Sequence, residues 1–319
     1  MCLYDIIHMV VTMKENNYIV GIGAANIDIS GRSTSGIKTF DSNPGKISMS
    51  VGGVTRNVLD NYCRLGGNAY LLACLGDDLF GKYIASYSEA VGIDMSCVNR
   101  IHQGSSCYVN VLNNDGEMEV AISDMAIIEN LNVDYFKRHD KIIGGSEIVM
   151  CDPSLPSASL DYLFQTYDKP IFVDTVSRAY ASTIANKLEM FHTVKANKLE
   201  AEILAGKEIN DSQDVELAAI IILGKGAKRV FITLGKDGCY YASKKEKLFY
   251  KLDYQPNIKN VTGAGDAFMA MLIHCYMENA DTLATLKMAS ASSCIALESE
   301  NTVSEDMSLE KVRRILQEK

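Results

Sequence analysis

Blocks of basic residues are absent from this 319-residue sequence. Its 31 Lys and Arg residues are outnumbered by 40 Asp and Glu residues, which gives a formal net charge of −9 at pH 7. A chain with this charge balance is repelled by phosphate backbones and by anionic lipid surfaces. General affinity for nucleic acids or membranes is therefore excluded from the expected functions, whereas binding of a small anion at one local site is not.

Paired cysteines are also missing. Nine Cys residues are scattered from Cys2 to Cys294, with no Cys-x-x-Cys pair and no Cys/His cluster at zinc spacing. This pattern is typical of small buried hydrophobic residues in a reducing compartment. We therefore expect neither a disulfide framework nor a metal-thiolate site.

No apolar run approaches the length of a membrane span. The N-terminal stretch lacks the basic start of a signal peptide, and it carries Asp5 inside its apolar part. We expect a cytoplasmic protein in which residues 1–17 are an extension. Residues 18–319 are expected to form one large domain, because a composition of 47% hydrophobic residues can supply one sizeable core.

The sequence also lacks a Walker A phosphate-binding loop. None of the five Gly-Lys pairs is followed by Ser or Thr. The pairs are Gly45-Lys46, Gly81-Lys82, Gly206-Lys207, Gly224-Lys225 and Gly235-Lys236. Any phosphate site in this chain must therefore be built from another glycine-rich turn or from a helix N-terminus.

Short apolar runs alternate with helical patterns along the chain. Candidate buried strands begin at Tyr18, Ala69, Glu147, Pro170, His192 and Arg229. Helical patterns between them include Val54 to Leu65, Lys82 to Val91 and Asp214 to Leu223. This alternation predicts an α/β fold of three layers, in which helices cover both faces of a mainly parallel sheet.

Two segments interrupt the alternation. Residues 31–50 are polar and rich in turn residues, and residues 106–123 alternate apolar and polar around the sequence NNDGE. An Asp-Gly pair within such an alternation indicates a β-hairpin. Together the segments predict a small antiparallel β lid, which covers a site, contacts another subunit, or does both.

The stretch NVTGAGDAF, from Asn260 to Phe268, precedes a strongly apolar helical run. If Gly263, Ala264 and Gly265 begin that helix, their free N–H groups form an anion site where the helix dipole also favours negative charge. Asp266 in the first turn is then placed to accept a proton from a hydroxyl group. The simpler alternative is a tight glycine turn whose aspartate only complements the dipole.

The complete Thr-Gly-Ala-Gly-Asp string with its apolar helix resembles the C-terminal signature of the ribokinase-like (PfkB-type) sugar and nucleoside kinases. Three N-terminal strings resemble the same family: GIGAANIDISG from Gly21, SVGGVTRNVLDNYCRLGG from Ser50, and LGDDLFG from Leu75. The resemblance covers nearly all of residues 18–319. It implies a ribokinase-like fold, ATP and Mg²⁺, a small-molecule acceptor, and a homodimer whose lids take part in the contact.

The resemblance also implies roles for particular residues. Asp266 is the expected base, beside the anion hole of Gly263, Ala264 and Gly265. The acceptor is expected to contact Asp28, Gly52, Gly53 and Asn57. Taken singly, Asp28 is equally well a turn or cap residue, and Asn57 a solvated helix position.

On the nucleotide side, the string KANKLEAE resembles the family's Asn-x-x-Glu segment. It implies that Asn197 and Glu200 organise phosphate and Mg²⁺, with Glu200 acting through water. Ala196 replaces the usual proline before the asparagine. Thr233, Gly235 and Gly238 are expected along the ATP phosphates, although the two glycines also fit an ordinary hairpin turn. A monovalent cation such as K⁺ is a further candidate near Asn260 to Thr262.

A dinucleotide-binding fold is a weaker interpretation of the first glycine-rich string. Gly21-x-Gly23 is followed by Asn26 where that fingerprint has its third glycine. The first acidic residue near the required spacing, Asp41, lies in a turn-rich segment and not at a strand end. A dehydrogenase therefore ranks below a kinase.

Within the family, the strings GAANIDISG, SNPGKISMSVGGVTRN and NVTGAGDA are most similar to those of pseudouridine kinases. This resemblance implies phosphorylation of the ribose 5′-hydroxyl, with Asn43, Tyr108 and Asn110 of the lid as candidate neighbours of the base. The alternatives are a kinase for ribose, another sugar or an ordinary nucleoside, and a non-catalytic sensor on the same fold. Retention of Asp266 and of the glycine turn argues against the sensor.

Overall fold

A computed structural model describes residues 17–317 of the chain. The strands in this range are β1 (Ile19–Ile22), β2 (Asn26–Ser33), β3 (Gly45–Gly52), β4 (Ala69–Leu72), β5 (Cys74–Gly76), β6 (Asn99–Ile101), β7 (Cys107–Leu112), β8 (Met118–Asp124), β9 (Ile148–Cys151), β10 (Ile171–Asp174), β11 (Thr193–Asn197), β12 (Arg229–Thr233), β13 (Cys239–Ser243) and β14 (Lys247–Tyr250). The α-helices are α1 (Val54–Arg64), α2 (Leu79–Ala90), α3 (Val133–Arg138), α4 (Asp140–Gly145), α5 (Ser157–Thr166), α6 (Arg178–Ile184), α7 (Lys198–Ala205), α8 (Ser212–Gly224), α9 (Ala264–Met277), α10 (Thr282–Leu297) and α11 (Leu309–Gln317).

The main sheet has eight strands in the order β14-β13-β12-β11-β10-β9-β1-β4. The strands from β12 to β4 in that order pair in parallel, and β13 and β14 add an antiparallel edge. All six strands predicted from the apolar runs are present. The mainly parallel sheet brings the C-terminal ends of β1, β9, β10 and β11 to one edge, where sites form in such folds.

Side chains of the main strands pack into two separate hydrophobic cores, one on each face of the sheet. In β1, Ile19 packs on the side of α1, α2, α9, α10 and α11, whereas Val20 packs on the side of α3 to α8. Side chains of a strand alternate between faces, so a strand buried on both faces is apolar at almost every position. The predicted three-layer arrangement is confirmed.

Helix α9 is buried along most of its length, from Asp266 to Cys275. It packs between α10 and α1, and a helix that is apolar on all sides is stable only in such a position. The chain enters α9 through Gly263 at φ 86. A Cβ at Gly263 would collide with the carbonyl of Thr302, so the turn into this helix requires glycine.

The two interrupting segments form a four-stranded sheet in the order β3-β2-β7-β8. Strand β2 already starts at Asn26, five residues before the predicted start of the first segment at residue 31. Two antiparallel hairpins, β2–β3 and β7–β8, make up this small sheet, and their inner strands β2 and β7 lie parallel to each other. The predicted Asp-Gly hairpin joins β7 to β8, with Gly116 at φ 89. We call this sheet the lid.

Most of the expected N-terminal extension, residues 1–16, lies outside the described residues. Among residues 17–317, no helix is both long and apolar enough to cross a bilayer. The eight cysteines of this range are free thiols, in agreement with the absence of paired cysteines in the sequence.

Candidate active site

Asp266 lies in the first turn of α9, at the edge where the parallel strands end. Gly263 caps the helix through its backbone and adds no side-chain hydrogen bond to the first turn. The first N–H groups of a helix require partners, and the helix dipole favours an anion there. The turn formed by Gly263, Ala264 and Gly265 therefore suits a phosphate group next to a carboxylate.

Asn57 of α1 contacts this carboxylate directly. Its Nδ2 donates to Oδ2 of Asp266 over 2.8 Å, and the two residues are 209 positions apart in the chain. Burial raises the pKa of Asp266 to about 7, and the nearby charge of Asp174 adds to the rise. The Asn57 hydrogen bond, Lys195 and Arg56 oppose it. A carboxyl group with this pKa can both accept and release a proton near neutral pH.

Asp28 of β2 lies on the polar face of the lid. Its Oδ1 accepts a hydrogen bond of 2.7 Å from Asn26 Nδ2, and burial raises its pKa. The carboxylate rests on Gly52, where any Cβ would collide with Oδ2 of Asp28. Gly53 follows as the cap of α1. The pair Gly52-Gly53 therefore leads from the lid into the helix that carries Asn57.

A buried ion pair lies beside Asp266, and the sequence interpretation missed it. Lys195 Nζ is 2.9 Å from Oδ2 of Asp174, and a Cβ at Gly265 would lie 2.5 Å from Lys195 Nζ. Burial lowers the pKa of Lys195, but Asp174, Glu200 and Asp266 more than compensate, so that the pKa is raised and the ammonium keeps its charge. The ion pair therefore places one positive charge against the glycine turn.

The Asn-x-x-Glu segment spans the junction of β11 and α7. Asn197 caps α7 by accepting from the N–H of Glu200 over 3.0 Å, and Oε2 of Glu200 accepts from the N–H of Asn197 over 2.8 Å. Thr175 Oγ1 also donates to Oε2 of Glu200 over 2.6 Å. Glu200 is thus part of a capping box as well as a candidate Mg²⁺ residue.

Thr233 and the two glycines continue the same edge of the main sheet. Thr233 is paired with Asn197 across β11 and β12. The hairpin from β12 to β13 turns through Gly235 and Gly238, as the simpler interpretation predicted. The turn lies next to the helix cap of α7, so the candidate nucleotide residues share one edge.

Within residues 17–317, no three or more His, Cys, Asp and Glu side chains are grouped so as to hold a metal ion. The donors near the turn therefore do not form a protein cage. Mg²⁺ in proteins typically retains several waters and binds phosphate oxygens together with one or two carboxylates. Glu200 remains the candidate carboxylate that the Asn-x-x-Glu resemblance implied.

The three lid residues expected near the uracil ring of a bound nucleoside differ in placement. Tyr108 is paired with Asp28, and Asn110 with Ser30, across β2 and β7, so both lie on the polar face. Asn43 does not fit the expectation. Its amide is used within its own loop, accepting from the N–H of Lys38 over 2.8 Å and donating to the Lys38 carbonyl over 2.9 Å.

Arg56 and Asp60 of α1 were also missed. Arg56 Nη1 pairs with Oδ2 of Asp60 over 2.9 Å, and both side chains are buried. The sequence did hold a signal, because a charged residue inside an otherwise buried helix requires a partner. For Asp174 and Lys195, the signal was their position in candidate strands whose C-terminal ends line the site edge.

The family model for pfkB family carbohydrate kinases matches residues 16–308. The chain belongs to the pfkB family. It is 34% identical to pseudouridine kinase from Escherichia coli strain K12 over 302 residues, which cover 94% of this chain and 96% of that enzyme. The family assignment made from the motifs is confirmed, and the protein is an ATP-dependent kinase acting on a sugar or nucleoside.

Solved structures support the same family assignment. A protein from Clostridium perfringens, provisionally described as a sugar kinase, has a TM-score of 0.84 and 34% identity, covering 95% of this chain and 96% of that one. Ribokinase from Arabidopsis thaliana, solved with ribose and ATP, has a TM-score of 0.82 at 19% identity, covering 95% and 99%. At that identity the similarity shows the ribokinase fold alone.

Proposed function

We propose that this pfkB-family kinase transfers the γ-phosphoryl group of ATP to the 5′-hydroxyl of pseudouridine. The observation that supports pseudouridine as the substrate is the 34% identity to a pseudouridine kinase over nearly the whole of both chains. The polar face of the lid supports it, because Asp28, Tyr108 and Asn110 give a nucleoside both hydroxyl-binding and base-facing groups.

In this proposal Asp266 is the catalytic residue. Its carboxylate accepts the proton of the 5′-hydroxyl as that oxygen forms a bond to the γ-phosphorus and the bond from phosphorus to the ADP oxygen breaks. The N–H groups of Gly263, Ala264 and Gly265 stabilise negative charge on the transferred group. A pKa of about 7 leaves a large share of Asp266 in the proton-accepting form at neutral pH.

The acceptor is proposed to lie between the lid and α1. Asp28 binds ribose hydroxyls, and Gly52 and Gly53 let the sugar approach the backbone. Asn57 adds an amide group beside the Asp266 carboxylate. The lid, about residues 31–50 and 106–123 together with the start of β2, covers this side. Closure of such an element excludes water from the reacting groups.

The nucleotide is proposed to lie along the edge formed by Asn197, Thr233, Gly235 and Gly238. Mg²⁺ bound with ATP would neutralise phosphate charge. Glu200 would hold such an ion through water, while its Oε2 accepts from the N–H of Asn197 in the capping box of α7. A K⁺ ion near Asn260 to Thr262 and a cytoplasmic location, where ATP is available, belong to the same proposal.

We also propose a homodimer formed through the lids. One face of the lid carries exposed apolar side chains at Ile47, Met49, Val109, Val120 and Ile122. These side chains share a face by register, since Val109 is paired with Ile122 and Ile29, and Ile29 with Met49. A contiguous exposed apolar face of this kind is typical of a subunit contact.

The direct test of the reaction is product identification. Purified protein with ATP, Mg²⁺ and pseudouridine should yield ADP and one monophosphate, whose ³¹P–¹H coupling places the phosphate on C5′. A matched reaction without the nucleoside measures background hydrolysis of ATP. A product phosphorylated at another hydroxyl, or ADP formed equally without nucleoside, would contradict the proposal.

A further inference from the structure

Arg56 makes several hydrogen bonds at the start of α1, and its side chain is only 1% exposed. Its guanidinium donates to Oδ2 of Asp60 over 2.9 Å. It also donates to the carbonyls of Gly52 and Val51, over 3.1 and 3.0 Å. Arg56 therefore ties the end of lid strand β3 to the first turn of α1.

A further donor of the same guanidinium is directed at the active site. Arg56 Nη2 donates to Oδ1 of Asn57. An asparagine amide has one accepting end and one donating end. Because the accepting end of Asn57 is turned to Arg56, the NH₂ group is the end that faces Oδ2 of Asp266.

The opposite orientation of the amide is disfavoured on both sides. A flipped Asn57 would place its NH₂ group against the guanidinium donors and its carbonyl oxygen against the Asp266 carboxylate. Both contacts would leave buried polar groups without a partner, and such groups are strongly destabilising. The guanidinium of Arg56 is itself held in place by Asp60, which is fully buried and also pairs with Arg64 over 2.7 Å.

The charged groups that face Asp266 are Asp174 of β10, Lys195 of β11 and Arg56 of α1. Asp174 favours the protonated carboxyl group of Asp266. Lys195, Arg56 and the Asn57 hydrogen bond favour the carboxylate. Loss of Arg56 would remove one of these groups and release the orientation of a second.

We propose that Arg56 is a positioning residue, which fixes the amide of Asn57 so that its NH₂ group is held on the Asp266 carboxylate. This inference rests on the proposed function in one respect, namely that Asp266 is the base. The chain Asp60, Arg56, Asn57 and Asp266 then links a buried ion pair in α1 to the reacting proton. Arg56 does not touch the substrate.

A purely structural role makes a different prediction. If Arg56 only tied β3 to α1 and acted on Asp266 through its charge, its loss would lower stability and weaken acceptor binding. The pKa of Asp266 would then shift in Arg56→Gln but not in Arg56→Lys, which keeps the charge. Arg64 provides the matched control. It pairs with the same Asp60 carboxylate but bonds to the carbonyl of Glu305, not to Asn57.

The test compares Arg56→Gln with Arg64→Gln by ¹³C NMR of aspartate carboxyl groups. The Asp266 signal is assigned by its loss in Asp266→Asn. In Arg56→Gln the pKa of Asp266 should rise by about one unit, the scale of a lost nearby charge and hydrogen bond. In Arg64→Gln it should stay at the wild-type value. The acid limb of the kcat profile should move with this pKa, giving a deficit of about tenfold at pH 6 that has almost vanished by about pH 9.

Wild-type titration of Asp266 in folded Arg56→Gln, or an equal shift in Arg64→Gln, would overturn the inference. Arg56→Lys is measured in parallel, and it carries the test alone if Arg56→Gln does not fold. Lysine keeps the charge and the pair with Asp60 but lacks the fork that reaches Asn57 as well. It should give a smaller shift in the same direction, and an unchanged titration would again overturn the inference. Absence of turnover with pseudouridine would contradict the proposed function alone, because the NMR titration needs no substrate.

Discussion

Asp266 has two properties that oppose each other in a folded protein. Burial brings its pKa to about 7, which suits a group that must exchange a proton near neutral pH. The same burial makes the ionised form unfavourable in the native state. Asp266 is therefore expected to favour turnover and to reduce stability at the pH where it works.

Replacement of Asp266 by its amide tests the first property. Asp266→Asn keeps the shape of the side chain and an oxygen that can accept from Asn57, but it removes the proton acceptor. We expect kcat to fall by about two or more orders of magnitude, with the fold and ATP binding retained. Turnover is measured under saturating substrates, and ATP affinity by calorimetry. Near-normal kcat would show that another group is the base.

The same variant tests the second property. The pKa of Asp266 is raised from 3.8 to about 7 on folding, so the unfolded chain loses this proton near pH 4 and the native state near pH 7. The stabilisation present below pH 4 is lost as the pH rises to 7. Asp266→Asn should therefore be more stable than the wild type at pH 8, by on the order of 1 kcal/mol or more, but not at pH 4.

Urea unfolding at both pH values measures this difference. Asp168→Asn, which removes an exposed carboxylate, is the control and should show no such pH-dependent gain. A wild type that remains more stable than Asp266→Asn at pH 8 would contradict the assigned cost of burying this carboxylate.

The residues of the candidate site differ in how far the sequence alone could predict them. Asp266, Asp28 and Asn57 lie in family motifs and were predicted. Lys195 and Asp174 are 21 residues apart and meet only because β10 and β11 are adjacent strands. The orientation of Asn57 likewise depends on Arg56 and on a residue 209 positions away. Such contacts follow from the assembled sheet and not from local pattern.

Among the secondary-structure elements, the lid strands likewise combine features that local sequence predicts with a pairing that it does not. The alternating pattern of residues 106–123 predicted the hairpin of β7 and β8, because strand alternation and an Asp-Gly turn are local properties. The parallel pairing of β2 with β7 joins segments about 80 residues apart, and no local pattern encodes it. That pairing is what places Tyr108 beside Asp28.

The end of β3 gives a prediction for the lid. In Gly52→Ala the new methyl group would collide with the Asp28 carboxylate and displace it. We expect the KM for the acceptor to rise by about tenfold, the scale of one lost hydrogen bond to a charged group, with little change in the KM for ATP. Steady-state kinetics with each substrate varied measures both values.

Gly36→Ala is the matched control for Gly52→Ala. A Cβ at Gly36, in the loop between β2 and β3, meets no atom within 4 Å. This variant should behave as the wild type. Equal rises of both KM values in Gly52→Ala would indicate a general loss of structure and would contradict the specific contact with Asp28.

For the whole molecule, the exposed apolar face of the lid predicts the oligomeric state. Ile47 is 81% exposed and Ile122 69%, and a homodimer would bury both. We expect a dimer by light scattering, and a monomer with reduced activity for Ile122→Asp. Leu217→Asp, a partly exposed apolar residue of α8, should remain dimeric. A wild-type monomer with full activity would contradict the lid contact.

The comparison of kcat/KM for pseudouridine, uridine and ribose tests the proposed acceptor most directly. The C-glycosidic base of pseudouridine carries a ring N–H that uridine lacks at the corresponding position. A site built to accept that N–H discriminates by leaving a polar group unpaired. Ribose would lose every contact to a base. We expect pseudouridine to exceed both by about tenfold or more, whereas equal kcat/KM for uridine or ribose would contradict the assigned substrate.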